Sequence, residues 1–347
     1  MASKVPNPFP PELLNVPSGN KIMGDKAKYI KITGERRTSL FNKYGSPPRA
    51  RALRDVSDAA MRLLHTFESF EIELTQVQNL HAFEQYVQDQ GMDWLNYQLT
   101  EAAHRPMNTR ITSLASVLRY GQIYIDVDGN LLPNSSGADV TVDFNIPATH
   151  QNQINGIIDV SWANNSANIP RQIASLQANS LQETGMPLTT ALYGKNVLTY
   201  MTTNDYVLDY LSRHEQMRDS ILRDNTIPPG LFGIKNWHPV WTSFFEDQNG
   251  VVQEIWDNDL CVMMPDISQP DQMNWWGAYE GSYPVPRKLE IQKNLKDPFA
   301  NYELVYGFFG FALIRTDGVP GYKVFTGDTA LFGPKNEKAL YQIDTAF

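Results

Sequence analysis

The sequence predicts a mixed α+β protein, folded around hydrophobic cores and preceded by a polar extension. Three observations predict it. Stretches alternating apolar and polar side chains with period two are interspersed with runs at helical spacing. Hydrophobic residues make up 42% and charged residues 19%, the balance of a chain that buries cores. At 347 residues the chain is long enough for two compact domains, or for one large domain with extensions.

Residues 1–26 read as an extended arm, because Pro6, Pro8, Pro10, Pro11 and Pro17 block regular helix. Two strand-like stretches follow, Lys28–Thr33 and His65–Leu74; in the second, Phe70, Ile72 and Leu74 alternate with Ser69, Glu71 and Glu73. Between them lies a basic segment with Gly45-Ser46-Pro47-Pro48 at a turn. Such a two-stranded excursion has few large apolar residues and needs another surface to rest on. Residues 76–120 read as helix, carried by Leu80, Phe83, Tyr86, Val87, Trp94, Leu95 and Leu99, with a break at Pro106 and a resumption over Arg110–Arg119. Ile123, Ile125 and Val127 lead into the turn pair Asp128-Gly129, and Val140, Val142 and Phe144 form the return strand.

Helices are expected over Ile173–Thr184 and Gly194–Leu222, with Thr189–Tyr193 as a short strand between them. Asp247-Gln248-Asn249-Gly250 is the strongest hairpin signal, flanked by Trp237–Phe245 and Val251–Trp256. Leu260–Met264 reads as a buried strand, and Leu304–Ile314, Lys323–Thr326 and Ala339–Ile343 as closing strands.

Net charge is −9, unevenly spread: residues 1–55 hold 11 Lys/Arg against 4 Asp/Glu, and the remainder 18 against 34. A basic arm beside an acidic body suits either nucleic-acid binding or self-association. Self-association uses both halves of the pattern. The N-terminus lacks the apolar stretch of a secretory signal, and no window has the roughly 18 apolar residues of a membrane span. The single cysteine, Cys261, has no internal disulfide partner, so the expected setting is a cytoplasm.

No catalytic, cofactor or metal site is predicted. The six histidines form no H-x-x-x-H pair, and Cys261 lies in the apolar run LCVMMP, which suits an inert thiol. Asp126-Val127-Asp128-Gly129-Asn130 starts like a calcium loop, but Leu131 and Gly137 occupy its required Gly and Glu positions. Gly194-Lys195 lacks the upstream glycine and following Ser/Thr of a phosphate loop, so Gly194 is expected to relax a strand-to-helix turn. Trp275, Trp276 and Tyr279 are candidates for an interface anchor, a ligand platform or core packing. Arg36, Arg37, Arg49, Arg51 and Arg54 are the other candidates for inter-subunit contact, against solvated charge or phosphate contacts.

The order of elements resembles the major capsid proteins of tailed phages, in the lambda-like group of the Hong Kong 97 fold. The residues that carry it are Ala191-Leu192-Tyr193-Gly194-Lys195-Asn196 with Tyr200, Asn204, Val207 and Leu211, then Trp276-Gly277-Ala278-Tyr279 through Tyr283-Pro284-Val285-Pro286. The resemblance implies an N-terminal arm (1–26), an extended two-stranded loop (27–75), a peripheral domain with a spine helix (76–164 and 283–347) and an axial domain (165–282). It implies a shell subunit forming hexamers and pentamers of an icosahedral head around double-stranded DNA. Its expected partners are itself, scaffold, portal and possible decoration proteins, and DNA by weak contact, with no membrane. Its expected place is the virion, after assembly in the host cytoplasm. Gly91 and Pro106 depart from an unbroken spine helix, and no cross-linking residue is identified. The alternatives are a hydrolase with dispersed acid/base residues and a nucleic-acid-binding protein using the basic N-terminal segment.

Overall fold

The computed structural model describes residues 6–24, 26–32, 56–73, 85–127, 129–132, 135–151, 158–241, 244–246, 252–268, 275–286, 302–314 and 321–347. After two single 3-10 turns, Lys21–Ile22 forms strand β1. Strands β2 (Lys26–Ile32) and β3 (Val56–Arg62) make an antiparallel ribbon in which Ile32 stands opposite Val56. Strand β4 (Leu64–Glu73) leads toward helix α1, Gln85–Tyr120. Strands β5 (Gln122–Ile125), β6 (Leu131–Leu132) and β7 (Val140–Asp143) form a small sheet with β5 in the middle. This matches the expected hairpin and return strand. Gly129 supplies the positive φ its turn needs, at 85°.

Helix α2 (Ile169–Glu183), strand β8 (Thr190–Tyr193) and helices α3 (Lys195–Thr203), α4 (Asp205–Ser212) and α5 (Glu215–Asp224) follow. The remaining strands are β9 (Asn236–Pro239), β10 (Phe244–Glu246), β11 (Val252–Glu254), β12 (Leu260–Met264), β13 (Trp276–Pro286), β14 (Tyr302–Tyr306), β15 (Phe309–Ile314), β16 (Gly321–Pro334) and β17 (Tyr341–Asp344). Strands β10 and β11 pair as the DQNG signal predicts, although its tip, 247–250, lies outside the described residues. Leu80 and Phe83 of the expected helix, and the turn at 45–48, also lie outside them.

Two sheets organise the molecule. The larger runs β1-β13-β16-β15, with β14 on β13 and β4 on β16; the smaller runs β17-β12-β8-β9. Each backs a core. In the first, Ile111, Leu114, Val117 and Leu118 of α1 join Trp276, Ala278, Ala330 and Phe332 of the large sheet. In the second, Ile173, Leu176, Val197, Met201 and Val207 of the helices join Tyr193, Trp237 and Tyr341. Strand β12 serves both. Leu260, Val262 and Met264 belong to the first core, Cys261 and Met263 to the second. A strand buried on both faces needs a continuous apolar run rather than an alternating one, which is why LCVMM reads as it does. Burying one such side chain contributes about 1.5–3 kcal/mol.

Four features differ from the sequence reading. Helix α1 runs through Pro106 without a break. A proline there forfeits one helical bond, at about 3 kcal/mol; here its ring is buried and the helix is tied to the sheet on both sides, Arg105 to Glu68 and Arg110 to Asp328. The expected helix over Gly194–Leu222 is three short ones. Asn204 ends α3 and caps α4, accepting from the N–H groups of Tyr206 and Val207. The N-terminal segment is docked on the body, with Phe9 and Leu13 in the first core. Finally, β13 lies in the large sheet and β17 in the small one, so the strand layout crosses the expected borders at 165–282 and 283–347.

Candidate inter-subunit surfaces

The aromatic candidates are spent inside the chain. Trp275, Trp276 and Tyr279 are all buried in the first core, which is the core reading and not the anchor or platform reading. The Trp276 indole donates to the Leu13 carbonyl at 3.0 Å, and the Trp275 indole to the Asp266 carbonyl at 3.3 Å. Phe9 meets Trp256 edge-on, with centroids 5.8 Å apart. Asn20 Nδ2 donates to the Ala278 carbonyl, and β1 runs parallel to β13 with Lys21 opposite Glu280. Trp276 and Trp256 therefore hold the N-terminal segment to its own body. The sequence signal was Phe9 and Leu13, two large apolar residues in an otherwise proline-rich stretch. Arg36, Arg37, Arg49, Arg51 and Arg54 lie outside the described residues.

A buried charge cluster sits under α1. The Arg110 guanidinium donates to both Asp328 oxygens, at 2.5 and 2.6 Å, and to Glu280 at 3.0 Å. It also lies 5.8 Å from the Phe332 ring centroid. Burial disfavours its charge, but the two carboxylates outweigh that and push its pKa up. Gly307 completes the fit: a Cβ there would collide with the Glu280 carboxylate and Arg110. One guanidinium thus joins α1 to β13 and β16, with the fork geometry that arginine offers two carboxylates.

The junction between the cores is polar. Buried Gln342 of β17 donates to the carbonyls of Val117 and Leu118, capping the C-terminus of α1. His150 stacks on Tyr341 at 4.0 Å, and its Nε2 lies 3.4 Å from Glu183, whose other neighbour is Lys338 at 3.9 Å. Burial pushes the His150 pKa down, against the pull of Glu183. Arg119 binds the Ile255 carbonyl and the Asp257 carboxylate at the foot of the β10–β11 hairpin. Gly194 is needed for close approach rather than for a turn conformation. Its φ is −81°, and a Cβ would strike the Asp257 and Asn258 carbonyls.

Cys261 and Asp126 are both engaged in the fold. Cys261 is fully buried, and burial pushes its thiol pKa up. Asp126 spends its carboxylate on the Asn130 N–H and side-chain amide, as a hairpin turn does. Among the described residues, no group of three or more His, Cys, Asp or Glu could hold a metal ion, and no helix is long and apolar enough to cross a membrane.

What remains outward is a set of faces. The large sheet has α1 on one side. The other side carries His65, Phe67, Tyr283, Phe309, Phe311 and Phe325 in mutual ring contact, Tyr283 on Phe309 at 4.2 Å and Phe311 on Phe325 at 4.9 Å. Sequence reasoning missed this face. The signal was the period-two pairs His65/Phe67 and Phe309/Phe311, opposite in phase to the Phe70/Ile72 face. The ribbon β2–β3 and hairpin β10–β11 are each two-stranded, and Phe244 and Val252 of the latter are exposed.

The model of the phage major capsid protein E family matches residues 8–278. The chain belongs to that family. As a phage major capsid protein it has its function in the shell of the virion, which rests on self-association. A prophage protein of Escherichia coli CFT073 assigned as a capsid protein shares the fold, with a TM-score of 0.52 at 14% identity over 84% of this capsid protein and 80% of that chain. A phage-related protein of Bordetella bronchiseptica RB50 aligns with a TM-score of 0.48 at 8% identity, over 96% of this chain and 90% of its own. The capsid of Myoviridae phage XM1 aligns with a TM-score of 0.48 at 9% identity, over 99% and 93%. No curated protein matches the capsid protein's sequence. The expected α+β class is the one observed, with five helices among many strands over the described residues.

Proposed function

We propose that this capsid protein tiles an icosahedral head as hexamers and pentamers enclosing double-stranded DNA, and that its work is geometric, with no reaction step. The family match over residues 8–278 carries this reading. Each copy repeats the same heterologous contacts, and their closure limits growth. The unit around the second core, with β17 included, is the axial part; the unit around α1 and the large sheet, with β13 included, is the peripheral part. The ribbon β2–β3 is described up to the pair Ile32 with Val56, and the basic residues 33–55 connect its two strands. An acidic remainder, 18 Lys/Arg against 34 Asp/Glu, gives those residues a partner surface on a neighbour and limits adhesion to packaged DNA. Assembly takes place in the host cytoplasm, with scaffold and portal proteins as further partners.

Negative-stain electron microscopy with sedimentation, on the chain alone and with its neighbouring phage genes, tests this. Closed shells, tubes or five- and sixfold rings are the expected result. A strictly monomeric species under every condition would overturn it. The nucleic-acid-binding reading, which uses residues 1–55, would instead show affinity that falls steeply with salt and is lost with that segment; the hydrolase reading would show turnover by the monomer.

A further inference from the structure

The chain passes from one core to the other just beyond residues 144–151. Phe144 and Ile146 lie in the first core, and Ile158 lies in the second. The segment is fastened at three places. Ile146 and the Gln151 amide close over Gly121 at the end of α1, where a Cβ would strike Ile146 and crowd Gln151. Gln151 bridges in parallel to Gln342 of β17, the residue that caps α1. His150 ends a 3-10 turn, its backbone N–H donating to the Pro147 carbonyl, and its ring stacks on Tyr341. With Glu183 at 3.4 Å from Nε2, that one ring ties the connection to both β17 and the last residue of α2.

His150 is 2% exposed. Among the described residues, the titratable and charged groups that face it are Glu183 from α2, Lys338 from the turn before β17, and Tyr341 from β17. A neutral imidazole has one N–H donor, whereas the charged ring has two. Nε2 has Glu183 as its acceptor; Nδ1 is buried with no hydrogen-bond partner among the described residues. Charging the ring in its seat would therefore bury an unpaired donor along with the charge. Glu183 and the Leu340 carbonyl pull toward the charged form, but Glu183 also serves Lys338, and burial prevails. Water would satisfy both nitrogens, so protonation favours any state in which the ring has left its seat. We propose that His150 is an acid-operated latch on the connection between the two units: neutral, it holds residues 144–151 against β17 and α2; charged, it releases them.

The latch lies within one chain and does not depend on the capsid reading, which stands or falls on shell formation. Hydrogen–deuterium exchange of the full-length chain at pH 7.5 and 5.5, corrected for the intrinsic rate, reads the opening of residues 144–151 and 341–343. A histidine in water titrates near pH 6.5, so their opening should rise by up to about tenfold across that interval. Helix α3, remote from the latch in the fold's second core, should show no such rise. His150→Phe keeps the ring stack without the titrating group and should abolish the response. Glu183→Gln, at a partly exposed position, removes the carboxylate that favours the seated charge and should enlarge the response; it keeps the test open if His150→Phe unfolds. The proposal is overturned by a parent chain with no rise, by a rise that survives His150→Phe or shrinks in Glu183→Gln, or by an equal rise in α3.

Discussion

Arg110 faces two carboxylates from the middle of a helix, and Asp328 beside it is nearly inaccessible to water. Arg110→Ala would leave that charge buried without a counter-ion, a loss of about 3–5 kcal/mol. Urea unfolding should show a lower midpoint and an unfolding free energy reduced by that amount. Arg110→Lys should recover only part, because one ammonium cannot hold both Asp328 oxygens and Glu280 together. His150 sets a second residue-scale expectation. Its folded pKa lies below the ordinary 6.5, so between those values the unfolded chain binds the extra proton. Stability is then fully present above about pH 6.5 and falls as pH drops through that window. His65 is shifted the same way, so the measurement is a difference. Thermal melts from pH 7.5 to 5.5 should fall less for His150→Phe, which keeps the stack on Tyr341 without the titrating group.

The element boundaries in the helical region depend on one side chain. Asn204 caps α4 through two backbone N–H groups while its amide donates to the carbonyls of Asn165 and Ala167. Removing the cap alone costs about 1 kcal/mol, and two buried carbonyls would lose their donor as well. Asn204→Ala should therefore destabilise the chain by about 2–4 kcal/mol, read from denaturant unfolding. Asn204→Asp should also fail, since a carboxylate would keep the cap but face two carbonyl oxygens. Helical spacing in the sequence runs straight through this position because Val207 and Leu211 still point inward after the break. Periodicity reports which side chains are buried; it says nothing of a one-residue interruption that preserves the phase. Pro106 is the opposite case, a local breaker overruled by the packing of the residues around it.

At the scale of the whole molecule, the N-terminal segment is part of the fold. Phe9 fills space beside Trp256, so Phe9→Ala should cost about 3–5 kcal/mol, measurable by unfolding before any assembly is attempted. Deleting residues 1–55 together would strip Trp276 of its partner at Leu13 and damage the body itself, which makes that deletion a poor test of assembly. Replacing Arg36, Arg37, Arg49, Arg51 and Arg54 with glutamine isolates the question. The variant is expected to unfold at the same midpoint as the parent but to remain in small species on sedimentation.

The sequence by itself determined the class and much of the order of elements: the β5–β6–β7 sheet from its alternation and Asp128-Gly129, the β10–β11 pair from its turn, and β12 from five apolar residues in a row. These signals are local, set by turn chemistry and side-chain period. It also showed a basic head and an acidic remainder, a property that needs no fold. Only the tertiary structure decided where Trp275, Trp276 and Tyr279 go, that β13 and β17 exchange sheets, and that His65, Phe67, Tyr283 and Phe309 meet on one face. Two of the contacts behind them, His65 with Thr329 and Trp276 with Leu13, join residues separated by more than 200 positions. An aromatic side chain has the same identity whether a neighbouring strand covers it or leaves it bare, so its burial is settled by which strands pair.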